Sequence, residues 1–494
     1  MLKDNFKRNY IFISIVFSVL LIIPFLIRLF TTPEGMFFNW FLYNDVDYDT
    51  YLMKINAFKY YDTIEYISRF SYDKITNTSG FLFVFYSIPG FLFNLIGIEN
   101  TNLIFNLLKI FVLIFFFVVF YKFLITITKS NKERYWILFL TLLFNAHEEL
   151  IFYNISKGVI LESMLNFPHH LFENTLVLIS WMLVWKFKNK KWKYSVYNGV
   201  CLLLISLIHP QVAVLNGLVQ GCYVVYQILK EKRSFKDLLP VTLWGLLPLP
   251  YLLSLVIEFS NNSTLGTWAN KNSHEMLPLE ILISILICVI SVVLLIINKK
   301  KFKNYDFLPF MISISILNLI PNNWQHYFVI GSVWCFYIIF GLSLANTNFK
   351  LFRNIIVGVI VISFIFTLIF QPLLCRNDVD EFVVYVPDFY NDIVLDFENI
   401  DEPVSILAQP MLSSYLLGHT KHFLPLTGSK DESKNYNECL LLLKSMVEHN
   451  SLQQVIDNGH LDYVVVAKDY PININDGEKY ILKQTADYII YKIN

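Results

Sequence analysis

Three carboxylates fall within five residues at Asp45, Asp47 and Asp49, immediately before a helix-like run at 51–60. Acidic groups so close repel one another, and one of them is made a better base; a cation or a proton-transfer step exploits that arrangement. A solvated acidic loop whose last carboxylate caps the following helix accounts for the same residues, and both readings stand at this point. A second set of ionisable residues lies at the ends of long apolar runs: His147, Glu148 and Glu149, then Glu162, then His169 and His170 ahead of Glu173. At membrane depth such groups line polar cavities, because facing lipid costs roughly 3 kcal/mol or more for each charge. Interfacial anchoring explains the paired histidines equally well. His209-Pro210 falls where one apolar run hands over to the next, so His209 either faces a ligand or serves a helix break. Gln325 and His326 lie in a short polar hairpin, where His326 is placed to meet an anionic headgroup, although interfacial Trp and Tyr are common in such loops.

The elements that must position these groups are set by composition. Of 494 residues, 55% are hydrophobic and only 16% charged, and mean hydropathy is +0.50; too little polar surface remains to coat a soluble globule. The formal net charge is zero, which favours neither nucleic acid nor an acidic partner. Four of the six cysteines, Cys201, Cys222, Cys288 and Cys335, sit inside apolar runs and read as small core residues rather than a disulfide framework. The basic N-terminus leads into a long apolar run with no small-residue cleavage site, the pattern of an uncleaved signal anchor.

Apolar runs long enough to cross about 30 Å of hydrocarbon occur near 10–30, 102–126, 134–154, 170–187, 193–208, 211–229, 237–258, 277–297, 305–320, 326–345 and 354–374. Basic clusters at Lys129 to Arg134, Lys186 to Lys193, Lys230 to Lys236, Lys299 to Lys303 and Lys350 with Arg353 belong on the cytoplasmic side. About eleven spans satisfy that parity, giving an all-α polytopic protein of the cell membrane with a cytoplasmic N-terminus and an extracytoplasmic C-terminal region. The segment 81–97 is apolar but interrupted by Pro89 and Gly90, and it reads as a non-crossing interfacial or re-entrant helix. Residues 1–374 then form the membrane domain, with 31–97 as a large external loop. Residues 375–494 form a soluble α/β domain, with strands at 404–409, 422–426, 463–467 and 488–492 and helices at 436–447 and 452–458.

This organisation resembles the GT-C superfamily of membrane glycosyltransferases, which includes protein O-mannosyltransferases, the aminoarabinose transferase of lipid A and uncharacterised prokaryotic relatives. The local signature is Asp47-x-x-x-Tyr51-Leu52-x-x-Ile55, similar to the family's acidic residue and the tyrosine four positions later. Tyr48 departs from it, standing where O-mannosyltransferase-like members carry a second acid. Ile208-His209-Pro210 is similar to a Leu-His-Pro of prokaryotic relatives, and Gln325-His326 stands where relatives often place a phosphate-binding arginine.

The resemblance implies a polyprenyl-phosphate-linked sugar as donor and a glycan, lipid or protein as acceptor, in a cell-envelope reaction proceeding with inversion. Asp47 is then the catalytic base, with Asp45 or Asp49 as substitutes. Tyr51, His147, Glu148, Glu162, His169, His170, His209, Gln325 and His326 are the expected substrate-binding residues, with His326, His209 and His170 for the leaving phosphate. No metal ligand is assigned and no cofactor is specified, a divalent cation being left open. The competing class is a multi-span transporter or flippase of a lipid-linked or small polar substrate. It predicts duplicated repeats with broken helices and midplane charges, whereas the sequence shows no evident duplication and carries its ionisable residues at the outer ends of spans.

Overall fold

The computed structural model describes the chain apart from residues 1, 43–46, 64–66, 70–76, 79–83, 144–159, 166, 187–190, 262–288, 291, 295, 298–306, 308–309, 311–324, 347–349, 371, 373–384, 428–434, 468–473 and 475–476. It divides into two compact units: one of Met1–Ile27, Leu108–Ile257 and Asn272–Arg376, the other of Arg28–Leu107, Glu258–Lys271 and Asn377–Asn494.

The first unit is helical. Among the described residues three helices are long and apolar enough to cross a membrane, Asn5–Phe30, Thr101–Ile127 and Pro210–Lys230, and a pair bent by 41°, Phe235–Leu246 with Leu249–Ile257, makes a fourth candidate. Helices also occupy Asn131–Leu143, Pro168–Lys186, Lys191–Ser206, Gln325–Asn346 and Lys350–Ile365, so each expected span that falls on described residues meets a helix. The expected spans near 277–297 and 305–320 lie largely outside the described residues. These helices expose Ile, Leu, Val and Phe on their outer faces, the distribution a lipid environment favours and water does not. Where they touch, small and polar residues mediate. A side chain at Gly341 would stand 2.7 Å from Ile137, so glycine is what lets two helices approach. Ser180, Asn198 and Gln220 join three helices through bonds of 2.5, 2.9 and 3.1 Å, the kind of interhelical polar link that holds helices where no hydrophobic drive separates protein from lipid.

The second unit joins the loop after the first helix to the C-terminal residues. Met36–Phe38 pairs antiparallel with Tyr385–Pro387. Asp47–Ile55 packs on Pro410–His419 and on Val84–Leu95. The last of these helices has 12 residues, about 18 Å at the usual rise and well short of the hydrocarbon thickness. Gly90 makes its contact possible, since a Cβ there would lie 2.1 Å from the carbonyl oxygen of Ile55. Gly90→Ala is therefore expected to force the helices apart, costing about 1–3 kcal/mol. A lower melting temperature of the solubilised chain checks this, and an unchanged one would refute the close approach.

In the C-terminal part a four-stranded sheet runs in the order Ile406–Leu407, Tyr463–Ala467, Tyr488–Lys492, Ile481–Gln484. The first pairing is parallel and the other two are antiparallel. All five residues of Tyr463–Ala467 are buried, as a strand covered on both faces requires. Val464 and Val466 join Cys439, Leu443 and Met446 of the helix Tyr436–His449 in one core, and Tyr463 meets Phe397 of Phe389–Glu398 edge-on at 5.4 Å. The expected strand at 422–426 is reduced to a single bridge between Ser405 and Phe423.

Candidate functional site

The acidic cluster lies in the second unit. Asp47 opens the helix Asp47–Ile55; its side chain and the whole of Asp45 lie outside the described residues. Asp49, two residues further along the helix, is 4% exposed and its Oδ1 has no hydrogen-bond partner among the described residues. The cause is the packing of Pro410–His419, whose Gly418 passes so close that a Cβ would stand 3.2 Å from Asp49 Oδ1. Burial pushes the Asp49 carboxyl up to about 7, because a charged carboxylate loses hydration there. Tyr48 is fully buried beside it and donates to Asn102 Oδ1 at 2.8 Å. Tyr51 stacks on Tyr86 at 4.5 Å. Burial also pushes the His419 imidazole down to about 4, and its Nδ1 is 2.8 Å from the Tyr415 carbonyl, so this ring is neutral.

The Asp49 shift has a pH consequence of definite sign. Between 3.8 and about 7 the folded chain keeps a proton that the unfolded chain has lost, so the contribution is fully present below that interval and disappears as pH rises through it. Asp49→Asn, uncharged at every pH, is expected to raise the melting temperature at pH 8 and to raise it clearly less at pH 5, where only the lower part of that interval has been crossed. Equal effects at the two pH values would mean that the carboxyl is ionised throughout.

The second centre is in the first unit. His169 and His170 begin the helix Pro168–Lys186 and His209 directly precedes Pro210–Lys230. The three rings come together, with centroids 4.1 Å apart for His169–His170, 5.0 Å for His170–His209 and 5.7 Å for His169–His209. One nitrogen from each lies within 4.8 Å of the others, and among the described residues no other group of three His, Cys, Asp or Glu is so arranged. Glu173, one turn along from His169 and His170 and fully buried, holds His209 Nδ1 with its Oε2 at 2.8 Å. Its Oε1 has no partner among the described residues. The next residue, Asn174, accepts from the Trp334 indole at 2.9 Å and so fixes the helix carrying the histidines. Lys109, buried within Thr101–Ile127, donates to the Leu165 carbonyl at 3.3 Å and sits 4.8 Å over the Phe25 ring.

The structure thus brings His169, His170 and His209 together. His147 and Glu148 lie outside the described residues, as do the side chains of Glu162, Gln325 and His326. Glu173 and Lys109 were not singled out as site residues from sequence. A signal existed for the first in the His-His-x-x-Glu spacing on one helix face; for Lys109 it was a lone cation within an apolar run.

No family model and no curated protein matches the sequence. Among solved structures, the mycobacterial arabinofuranosyltransferase AftD is similar over 97% of this chain at 10% identity with a TM-score of 0.50, and the match spans 40% of AftD. The oligosaccharyltransferase of Archaeoglobus fulgidus, tethered to an acceptor peptide, matches 91% of this chain and 69% of its own at 12% identity and a TM-score of 0.48. Its complex with zinc and sulfate gives 92%, 68%, 13% and 0.48. At this level of likeness nothing about ligands carries across. What the likeness to AftD establishes is architecture alone: the chain shares the fold of this membrane arabinofuranosyltransferase.

Proposed function

We propose that the chain is an integral membrane glycosyltransferase that moves a sugar from a polyprenyl-phosphate donor to an extracytoplasmic glycan, lipid or protein acceptor, with inversion. The observation that carries this reading is the likeness to an arabinofuranosyltransferase over 97% of the chain, together with an acidic helix start in the loop after the first span. About eleven spans, a cytoplasmic N-terminus and an outer C-terminal domain belong to the same reading.

Inversion requires a carboxylate on the face opposite the leaving phosphate, to take the proton of the acceptor hydroxyl as it attacks the anomeric carbon. Asp47 takes that role, with Asp45 or Asp49 able to replace it. The departing lipid phosphate gains charge, and donors fixed in a low-dielectric setting stabilise it more than water does. His326, His209 and His170 supply them, with Lys109 as an added cation. Tyr51, His147, Glu148, Glu162, His169 and Gln325 complete the proposed substrate contacts.

Membranes containing the chain, given polyprenyl phosphate carrying radiolabelled sugars, are expected to release labelled product dependent on the chain. Movement of the lipid-linked sugar across sealed vesicles without transfer would overturn the enzyme reading in favour of a flippase.

A further inference from the structure

We propose that His169, His170 and His209 hold a divalent transition-metal ion of the zinc type, with Glu173 orienting His209 behind it. The proposal uses residues of the first unit alone and stands whether or not the chain transfers sugar; an ion held there would take over the charge stabilisation assigned above to the His170 and His209 rings.

Geometry argues for it. The three ring centroids stand between 4.1 and 5.7 Å apart, and an imidazole in its neutral form offers one acceptor nitrogen to an ion. Nitrogens on one tetrahedral zinc, each at about 2.0–2.1 Å from it, stand about 3.4 Å apart. The three here lie within 4.8 Å of one another, so small side-chain rotations close the set. The rings also come from two helix starts, and a shared ion would tie those starts together.

Glu173 supplies the second, independent observation. It is fully buried and its Oε2 holds His209 Nδ1 at 2.8 Å, which leaves Nε2 as the His209 ligand atom. A carboxylate behind a histidine is the common outer partner of a metal-bound imidazole, where it fixes the tautomer and strengthens the donor. A cation on the rings also compensates a carboxylate whose other oxygen has no partner among the described residues. Imidazole donors suit zinc and its neighbours, whereas magnesium and calcium prefer oxygen. Three protein ligands leave a fourth position open, as in catalytic rather than purely structural zinc sites.

The test uses the full chain purified in detergent without a histidine tag, stripped with a chelator, exposed to zinc chloride and desalted. About one zinc per chain is expected, with an X-ray absorption shell of three nitrogens at about 2.0–2.1 Å. His170→Ala and His209→Ala should each reduce zinc to background, and Glu173→Gln should weaken zinc binding about 10–100-fold without changing the amount bound at saturation. Wild-type chain holding no zinc above background would overturn the site, as would a shell without nitrogen or full occupancy in a folded His170→Ala/His209→Ala variant. Should the alanine variants fail to fold, the wild-type spectrum decides alone. A chain that binds zinc but transfers no sugar upholds the site and rejects the proposed reaction.

Discussion

Asp47→Asn is expected to lower the rate of sugar transfer by about a hundredfold or more, in line with the loss of a positioned base, while the chain still folds and enters the membrane. Asparagine keeps the shape of the side chain and can still accept a hydrogen bond, but it cannot take a proton. Asp47 is the first residue of its helix, where the exchange costs a few tenths of a kcal/mol at most, because Asn and Asp serve helix starts about equally. Rate and stability therefore separate at this position. Asp49 provides the contrast within the same turn: buried against Gly418 and pushed up to about 7, it is expected to show its effect in the pH dependence of stability. Initial rates with saturating donor, measured for both variants at equal amounts of folded chain, read the difference. A loss confined to Asp49→Asn would transfer the role of base to that carboxyl, and undiminished transfer by both would remove the base from this helix.

The parts of the fold that sequence made legible are those whose pattern is local. The segments 463–467 and 488–492 appear as strands at those residues, and Tyr436–His449 and Gln453–Asn458 as helices, because alternation or helical spacing is complete within each. The strand Ile481–Gln484 went unseen: its apolar residues, Ile481 and Leu482, are adjacent rather than alternating with polar ones, so its place is set by pairing with Tyr488–Lys492 rather than by its own pattern. The helix Pro410–His419 was missed as well, since it is buried through most of its length and an apolar stretch of that length shows no helical periodicity.

The site follows the same division. Histidines at the ends of apolar runs were visible as ionisable groups in costly places. That His209 meets His169 and His170 was not, because the contact depends on how two intervening helices pack. The burial of Asp49 was likewise invisible, being created by Gly418, which follows it by more than three hundred residues in the chain.

Arg69→Ala is expected to destabilise the second unit by about 3–5 kcal/mol, the largest stability effect anticipated for a single side chain there. The last carbonyls of a helix have no partners within it, and around the end of Pro410–His419 side chains of the loop supply them. Arg69 donates to the carbonyls of Leu417, at 2.6 Å, and Thr420. Asn56 reaches that of Gly418 at 2.7 Å and Tyr60 that of His419 at 2.8 Å, while Tyr61 serves Lys421. Five successive carbonyls are thus met by four side chains, and Arg69, 1% exposed, serves two of them. Removing it leaves two buried acceptors that no water reaches, each costing about 1–3 kcal/mol. Arg69→Lys should recover only part of the loss, since a point charge cannot reproduce a planar fork. Thermal unfolding of the solubilised chain, with limited proteolysis of the loop as a second readout, measures both variants. A change below about 1 kcal/mol for Arg69→Ala, or full recovery with lysine, would show that the loop and the Pro410–His419 helix are held together by apolar packing instead of this fork.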